Sequence, residues 1–371
     1  MRYSAPVTST STALDGVFAV VMAGGAGTRF WPASRRHRPK QLLSLVTERT
    51  LLEETVHRVA PSLVPYGRVL IVTGGHLAAP TYEAVGAMGV RLVVEPMARN
   101  TAPCLGLAAA LVHAESPDGV LAVFAADHHI ADTEGFRRLV TDATALAREG
   151  RIVTLGITPD RPETGYGYIR RGPALAGSAA CAVDAFVEKP DRATAERYVA
   201  DGRYLWNSGM FFLRADVLLA SIEQHLPALA AGLRAYRAAL GTADESAALH
   251  RCFEHAEPTS IDYGVMEREV ARILVLPADM GWSDVGSWRT LLDFRPEGDS
   301  NLTRGPVDVV DTRGSVVVSV GARAPRVAVI GMEGVAVVAT DDAVLVVPLD
   351  RAQDVGGIPK LLREQGLESL V

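Results

Sequence analysis

A glycine-rich segment and the two basic residues after it are the first part of the chain whose residue types could do chemistry. The segment reads AGGAGT at residues 23–28, comes directly after an apolar run, and precedes Arg29 and Lys40. Glycines that follow a buried strand let main-chain N–H groups come close to an anion. A threonine hydroxyl can donate to that anion, a guanidinium can clamp a phosphate, and an ammonium adds a mobile charge. The pattern predicts a phosphate-binding loop made of Ala23, Gly24, Gly25, Gly27, Thr28 and Arg29, with Lys40 beside it.

Two well-known phosphate-binding loops do not fit this segment. The P-loop requires G-x-x-x-x-G-K-[ST], and no such string occurs in the chain. The dinucleotide fingerprint G-x-G-x-x-G is broken because Phe30 stands where its last glycine should be. A plain glycine turn followed by solvated arginines is the alternative, and the combination of Arg29 with the string PKQ at residues 39–41 argues against it.

Two aspartates are candidate ligands for a metal ion. Asp127 follows an almost wholly apolar run, and Asp284 lies in the string GWSDVG, in which flanking glycines allow close approach to a ligand. Mg²⁺ is a hard cation that prefers oxygen ligands and keeps several waters. A helix cap or a turn is the alternative role for each aspartate.

Lysine is rare in this chain, which makes the position of each lysine informative. Of 37 basic residues only three are lysines, namely Lys40, Lys189 and Lys360. Lys189 follows Glu188 after a strand-like run, so the two could form a surface ion pair of little energetic value. Because an ammonium and a guanidinium differ in shape, a lysine kept in an arginine-rich chain favours a specific contact instead.

Three further polar positions have both a structural and a functional explanation. Asn207 offers one acceptor and two donors, which suits sugar hydroxyls, but it also precedes Gly209 as a turn residue would. Gly167 lies in a glycine–tyrosine loop that could be an ordinary loop. Asn100 is a good N-cap for a helix that begins at Thr101.

The elements that must position these residues alternate between strands and helices. Apolar runs predict strands at residues 17–22, 68–73, 90–94, 119–125 and 152–156. Helical spacing predicts helices at residues 51–60, 101–114 and 136–149. Such alternation is typical of a three-layer α/β fold with a mostly parallel sheet, in which ligands bind beyond the carboxyl ends of the strands. Gly24, Gly25 and Asp127 fall at such ends, so we expect them to face one pocket.

The chain changes character at about residue 294. Short strands separated by Gly, Asp and Arg turns are predicted at residues 307–311, 315–320, 327–330, 335–339 and 343–347. Their rough period indicates a small β-solenoid, with a hairpin sandwich as the alternative, and a helix at 356–365. We assign this part to packing or assembly, with a homodimer as one option. The predicted division is a flexible tail at 1–16, a catalytic domain at 17–293 and a β-solenoid-like domain at 294–371.

The composition excludes several classes of protein. The 371 residues are 48% hydrophobic and 22% charged, and the net charge is −6, which argues against general affinity for nucleic acid. No apolar segment is long enough to span a membrane, and residues 1–16 lack the apolar centre of a signal peptide. Three widely spaced cysteines show no metal-binding spacing. We therefore expect a cytoplasmic protein that binds neither a membrane nor nucleic acid.

Several of these segments together resemble one family. MAGGAGTRFWPASR followed by PKQLL resembles the signature of the sugar-1-phosphate nucleotidyltransferases, and its FWP and KQ variants are similar to those of the mannose-1-phosphate guanylyltransferases. The resemblance continues in chain order through EPMARNTAP (95–103), ADH (126–128), TGYGYI (164–169), FVEKP (186–190), WNSGMF (206–211), SIDY (260–263) and GWSDVGSW (281–288). It covers nearly the whole chain, and so many matches in order are far more specific than any single string.

The resemblance implies a fold, an activity and a role for each candidate residue. The fold would be a Rossmann-like nucleotidyltransferase domain followed by a small domain similar to a left-handed β-helix. The activity would be transfer of GMP from GTP to α-D-mannose 1-phosphate. Nucleotide contacts would come from the glycine loop together with Arg29, Lys40, Asn100, Thr101 and Asp127. Sugar-phosphate contacts would come from Gly167, Glu188, Lys189 and Asn207. Asp127 and Asp284 would coordinate Mg²⁺, and the catalytic residues would be Arg29, Lys40 and Lys189.

Three other functions compete with this one. The broken fingerprint argues against a nicotinamide dehydrogenase. A non-catalytic regulatory homologue that binds the sugar nucleotide is disfavoured because all the charged candidates are present: Arg29, Lys40, Asp127, Lys189 and Asp284. The same chemistry on another sugar 1-phosphate or another nucleotide is addressed only by the details of the motifs.

Overall fold

The computed structural model describes residues 14–371. The predicted tail at residues 1–16 therefore lies outside the described residues, apart from its last three. Those three are held against the domain, since the Leu14 N–H donates to the Leu63 carbonyl at 2.7 Å. In the described part of the chain no helix has both the length and the apolar character needed to cross a membrane.

The first part of the chain alternates strands and helices. Its strands are β1 (Val17–Met22), β2 (Val69–Gly74), β3 (Arg91–Glu95), β4 (Val120–Ala125), β5 (His129–Ile130), β6 (Ile152–Ile157), β7 (Tyr168–Ala174), β8 (Cys181–Val187), β9 (Tyr204–Arg214), β10 (Ile273–Ala278) and β11 (Trp282–Ser283). Its helices are α1 (Leu51–Val59), α2 (Ala78–Val85), α3 (Thr101–Glu115), α4 (Thr133–Arg148), α5 (Arg192–Asp201), α6 (Ala215–His225), α7 (Pro227–Ala239), α8 (Glu245–His255) and α9 (Ile261–Gly264).

A mostly parallel sheet forms the centre of this part, as predicted. The strand order is β3-β2-β1-β4-β9-β6-β10-β8-β7. Every strand of this sheet except β8 and β9 runs in the same direction. The first part of β9 also pairs with β7, while its last part pairs with β4. The carboxyl ends of β1, β2, β3 and β4 consequently meet at one edge of the sheet.

The strand β1 shows why the sheet lies between two layers of helices. Its sequence VFAVVM has no polar residue, as expected for a strand covered on both faces. Phe18 and Val20 belong to one apolar core, which α3, α6 and α7 complete. Val17, Ala19 and Val21 belong to a second core on the opposite face, which α1 and α4 complete. The alternation of side chains along the strand thus produces the predicted three-layer arrangement.

The last part of the chain is a small β-helix rather than a hairpin sandwich. It contains β12 (Leu302–Arg304), β13 (Val307–Val310), β14 (Val316–Ser319), β15 (Val327–Ile330), β16 (Val335–Ala339), β17 (Val344–Pro348) and α10 (Ile358–Glu364). The strands β12, β14 and β16 pair in parallel, and β13 pairs in parallel with β15, so successive coils stack in register. Among the strands named here for this part, only β17 pairs in the antiparallel sense, with β16. The parallel pairing decides against the hairpin alternative.

One apolar core joins the β-helix to the α/β part. It contains Phe30, Trp31 and Trp288 from the first part, and Val316, Val338 and other residues from the β-helix. The indole N–H of Trp288 donates to the Trp31 carbonyl at 3.0 Å. The two parts of the chain therefore share buried side chains instead of meeting at a polar surface.

Candidate active site

The glycine loop begins where β1 ends and leads into a short 3-10 helix, Thr28–Phe30. Gly27 has φ 60°, in the left-handed region that favours glycine. A Cβ atom at this position would lie 2.3 Å from Cβ and 2.6 Å from the main-chain nitrogen of Lys40. Only glycine fits, and its close approach brings Lys40 directly under the loop.

Hydrogen bonds fix the start of the loop and leave its tip free. The Ala23 carbonyl accepts from the Gln41 amide at 2.9 Å and from the Thr73 hydroxyl at 3.0 Å. Within the described chain, the N–H groups of residues 24–26 donate to no protein acceptor, and these residues are exposed. Arg29 is also exposed, and no described side chain forms an ion pair with it. The loop thus presents unpaired donors to solvent, which is the arrangement that an anion requires.

Lys40 connects the two candidate metal ligands. Its side chain is only 8% exposed, and its Nζ donates to Asp127 Oδ2 at 2.8 Å. The same ammonium donates to the main-chain carbonyl of Asp284. Burial opposes ionisation of Asp127, but the charge and hydrogen bond of Lys40, together with His128, outweigh it, so the pKa of Asp127 lies below its usual value. Three residues far apart in sequence therefore meet at one charged centre.

The Asp284 carboxylate has its own supports. The Tyr166 hydroxyl donates to Asp284 Oδ1 at 2.6 Å. Burial, with the charge of Asp284 beside it, raises the pKa of Tyr166 far above its usual value, so this hydroxyl stays a donor. A Cβ atom at Gly286 would lie 2.7 Å from Asp284 Oδ2, so a side chain at this position would displace the carboxylate. These contacts orient the carboxylate before any ligand binds.

The four predicted sugar-phosphate residues form a second cluster. The Asn207 N–H donates to the Gly167 carbonyl at 2.8 Å, and a Cβ atom at Gly167 would lie 2.4 Å from Glu188 Oε2. Lys189 Nζ lies 3.2 Å from Glu188 Oε1, and its side chain is 58% exposed against 11% for Glu188. Burial raises the pKa of Glu188 although Lys189 opposes this. The strands β7, β8 and β9 bring these residues together from three separate stretches of the chain.

Asp262, at the start of α9, is part of this cluster and was not assigned from the sequence. The Asn207 amide donates to Asp262 Oδ1 at 3.0 Å. Burial and the nearby charge of Glu188 raise the pKa of Asp262 to about 6. The Glu188 N–H donates to Glu267 Oε1 at 3.2 Å. The string SIDY contains Asp262, but nothing in its spacing indicates that α9 returns to the Asn207 strand.

Asn100 and Thr101 have clear structural roles at the start of α3. Asn100 Oδ1 accepts from the Thr101 N–H at 2.8 Å, and Asn100 has φ 68°. The Thr101 hydroxyl accepts from the Ile261 N–H at 2.8 Å. The capping alternative therefore applies to Asn100, and a base contact by either residue stays a prediction.

Glu95 is a second residue to which the sequence motifs assign no role. It ends β3, is buried, and its Oε1 has no hydrogen-bond partner within the described residues. Burial raises the pKa of Glu95 to about 7. A Cβ atom at Gly24 would lie 3.9 Å from Glu95 Oε2, so the carboxylate lies next to the glycine loop. An unpaired buried carboxyl group at a site of this kind needs a donor that the protein does not provide.

A loop of free N–H donors beside a lysine that contacts two aspartates is suited to an enzyme that binds phosphate groups. The nucleotidyl transferase family model matches residues 18–299, and a MannoseP isomerase/GMP-like beta-helix domain model matches residues 306–362. The chain therefore belongs to the nucleotidyl transferase family, and the resemblance seen in its motifs is confirmed.

The chain is similar to named members of this family and to a solved structure. The xanthan biosynthesis protein XanB of Xanthomonas campestris pv. campestris (strain B100) is 40% identical over 95% of this chain and 74% of that protein. The mannose-1-phosphate guanylyltransferase of Escherichia coli (strain K12) is 39% identical over 94% of this chain and 74% of that protein. A crystal structure from Thermus thermophilus, described as a mannose-1-phosphate geranyltransferase, has a TM-score of 0.82 and 36% identity, covering 94% of this chain and 99% of that one.

Proposed function

We propose that this protein transfers GMP from GTP to α-D-mannose 1-phosphate, which yields GDP-mannose and pyrophosphate. The observation that carries the proposal is the charged centre of Lys40, Asp127 and Asp284 directly beneath the glycine loop. The relatives named mannose-1-phosphate guanylyltransferase support the choice of substrates. The sugar phosphate oxygen attacks the α-phosphorus of GTP in line, with pyrophosphate as the leaving group.

The nucleotide binds with its triphosphate on the loop and its base near β3. The free N–H groups of residues 24–26 and the unpaired Arg29 hold phosphate oxygens. Glu95 is the group we assign to the base, since guanine offers an N1–H and an adjacent amino group to a carboxylate. Its lack of a protein partner supports this assignment. The base would then supply the donor that Glu95 lacks.

The sugar phosphate binds in the second cluster. Asn207 and Asp262 are oriented by the hydrogen bond between them, and Glu188 adds a further acceptor that is paired with Lys189. Lys189 lies beside them with an exposed ammonium, which suits the phosphate group. The sugar hydroxyls would thus contact Glu188, Asn207 and Asp262, and the phosphate group would contact Lys189.

Asp127 and Asp284 are the residues that would hold a divalent cation, which we propose to be Mg²⁺. This ion binds through one or two carboxylates plus substrate phosphates and water. Within residues 14–371 no group of three or more His, Cys, Asp or Glu side chains is arranged as a complete metal site. The buried ammonium of Lys40 already occupies a position that favours positive charge, so the pair fits the ion. When bound, the ion would neutralise negative charge on the phosphates.

The protein's own residues account for the rest of the catalysis. A phosphate monoester is already a nucleophile, so no general base is needed. The chain must hold two polyanions together and stabilise the charge that develops on the leaving pyrophosphate. Lys40, Arg29 and the loop N–H groups supply that charge stabilisation, and Lys189 orients the attacking phosphate. With these charges in position, the reaction needs no covalent intermediate with the enzyme.

A substrate matrix tests the proposal directly. Each of the four common ribonucleoside triphosphates is combined with mannose, glucose and other sugar 1-phosphates in the presence of Mg²⁺, and pyrophosphate release is measured. The highest turnover is expected for GTP with mannose 1-phosphate. Faster turnover with another pair would refute the substrate assignment, and no release with any pair would refute the activity.

We also propose that the protein acts in the cytoplasm without a membrane or nucleic-acid partner. Its three cysteines, Cys104, Cys181 and Cys252, are all unpaired, which suits a reducing compartment. The net charge of −6 supports the absence of a nucleic-acid partner. Light scattering would test the further proposal that the protein assembles as a homodimer.

A further inference from the structure

The end of the β-helix part lies directly against the nucleotide loop. A 3-10 helix, Leu349–Gly357, connects β17 to α10 and packs against the 3-10 helix Thr28–Phe30. A Cβ atom at Gly356 would lie 3.5 Å from both Arg29 Cγ and Thr28 Oγ1. These distances are ordinary van der Waals contact, so the bare backbone of Gly356 borders two residues that we assign to the triphosphate.

A second pair of contacts holds the last residues of the chain. The Trp31 indole N–H donates to the Leu370 carbonyl at 2.9 Å, and the Trp31 ring is buried. Five residues after Trp31 the chain is held again, since the Arg36 N–H donates to the Val371 carbonyl at 3.1 Å. The main chain between Thr28 and Arg36 is therefore bordered by residues 349–371 along much of its length.

The same segment also reaches the other side of the charged centre. Val285 follows Asp284 and has φ 46°, a left-handed conformation that is unfavourable for a β-branched residue. Its side chain is fully buried in the core that contains Leu349, Ala352 and Val355. Burial in this core, to which residues 349–355 contribute, thus holds Val285 in this conformation and, through it, the main-chain carbonyl that accepts from Lys40.

We propose that residues 349–371 position the nucleotide loop and the Asp284 turn, so that the β-helix part sets the affinity for the nucleoside triphosphate without contributing a reacting group. The proposal rests on the function proposed above. It gives this segment a role in addition to packing or assembly. Gly356 is a positioning residue in this scheme because it acts through Thr28 and Arg29.

Two adjacent glycines provide a matched test. Gly356→Leu would push a side chain against Thr28 and Arg29, whereas a Cβ atom at Gly357 meets no atom within 4 Å. Neither glycine has a φ in the left-handed region, so backbone strain does not separate the two variants. We expect Gly356→Leu to lower kcat/KM for GTP on the order of 10²-fold, mainly through KM, because small displacements of binding groups have effects of this size. Gly357→Leu should match the unmodified protein.

A second variant keeps the test decisive if Gly356→Leu does not fold. Trp31→Phe keeps an aromatic ring but removes the hydrogen bond to Leu370. We expect the KM for GTP to rise about three- to tenfold, which is the usual effect of one lost hydrogen bond. The KM for mannose 1-phosphate should stay within about twofold in both variants, because the Glu188 cluster lies on other strands.

Two kinds of measurement distinguish a failure of the positioning role from a failure of the proposed function. Direct binding of GTP and of the other nucleoside triphosphates is measured by calorimetry beside the kinetics, with thermal unfolding as the check on folding. If the unmodified protein prefers another substrate pair, the proposed function fails, and the positioning test is made with the preferred nucleotide. Folded variants of Gly356 and Trp31 that bind this nucleotide normally would overturn the positioning role. An equal loss of affinity for both substrates, or the same loss in Gly357→Leu, would also overturn it.

Discussion

The half of the candidate site that we assign to the nucleotide and the half that we assign to the sugar phosphate differ in how many of their polar groups already have partners. In the nucleotide half, residues 24–26 offer unpaired N–H groups, and Arg29 and Glu95 lack protein partners within the described chain. In the sugar half, Asn207 alone bonds to Gly209, Thr154 and Asp262. A triphosphate brings many acceptors, so free donors suffice to bind it. Sugar hydroxyls are both donors and acceptors, so the protein must orient its own groups first.

The charged centre between the halves should give the largest effects. If Asp127 and Asp284 share one cation, Asp127→Asn, Asp284→Asn and the double variant should each lose several orders of magnitude in turnover, to similar floors. Groups that act as a unit are strongly non-additive. Pyrophosphate release measured against Mg²⁺ and Mn²⁺ concentration checks this, and partial rescue by metal is expected for the single variants.

An exposed aspartate serves as the control for these variants. Asp118→Asn changes the same residue type at an ion pair with Arg214, at the opposite end of β4 from Asp127, and should leave turnover unchanged. Losses that multiply in the double variant, with no altered metal dependence in either single variant, would mean that the two carboxylates act separately. Asp284 would then lose its metal role.

Lys40→Arg should give the next largest effect. The buried ammonium fits between Asp127 and the Asp284 carbonyl under Gly27, and a planar guanidinium is wider. Turnover should fall about 10²–10³-fold, the usual result of losing one positioned charge contact in a transition state. Lys360→Arg, at an exposed site of the last helix, is the matched control. Near-normal turnover for Lys40→Arg would show that only its charge matters.

Asp262 tests the sugar half and has a pH dependence of its own. Because burial and Glu188 raise its pKa to about 6, it is ionised at pH 7 and becomes neutral as the pH falls through about 6. The KM for mannose 1-phosphate should therefore rise as the pH falls below 6. Asp262→Asn should raise the sugar KM about tenfold and remove this pH dependence. If the profile of the variant matches that of the unmodified protein, Asp262 is not the titrating group.

Glu95 should give a kinetic effect no larger than that of Asp262, together with a distinct effect on stability. Its pKa of about 7 lies above the value for an exposed glutamate, so its ionisation costs stability, and the cost appears as the pH rises through that range. Glu95→Gln should therefore raise the stability at pH 8 by on the order of 1–3 kcal/mol relative to its effect at pH 5. GTP binding should weaken about tenfold. Thermal unfolding at both pH values, with GTP titrations, checks the pair of effects.

The sequence indicated those residues of the candidate site that lie in local motifs. It gave no indication of the residues whose role depends on tertiary packing. The glycine loop, Lys40 and Asp127 follow strands whose apolar runs are visible, and their convergence follows from the parallel order of the sheet. Glu95 also ends such a strand, but its lack of a partner depends on how the loop packs over it. Asp262 reaches Asn207 only because α9 folds back, and no spacing along the chain records that return.

The secondary structure was likewise predicted in some parts of the chain and missed in others. The strands from β1 to β6 and the helices α1, α3 and α4 were predicted within a few residues, apart from the two-residue β5. The helices α2 and α5 to α9 were not predicted, although the buried residues Leu229, Leu233 and Tyr236 of α7 recur at helical spacing along the sequence. The β-helix was predicted from its repeating short strands, but the contact of Gly356 with the loop has no sequence signal at all.

The core that joins the two parts has a consequence for how the molecule unfolds. Phe30, Trp31 and Trp288 lose their cover if the β-helix opens, and Val316 and Val338 lose theirs if the α/β part opens. Neither part can melt without exposing apolar surface of the other. Heating should therefore produce a single calorimetric transition with no populated half-folded state, although the sequence divides into two recognisable domains. Protease cleavage near residue 300 would then release no stable fragment, and the pair behaves as one cooperative unit.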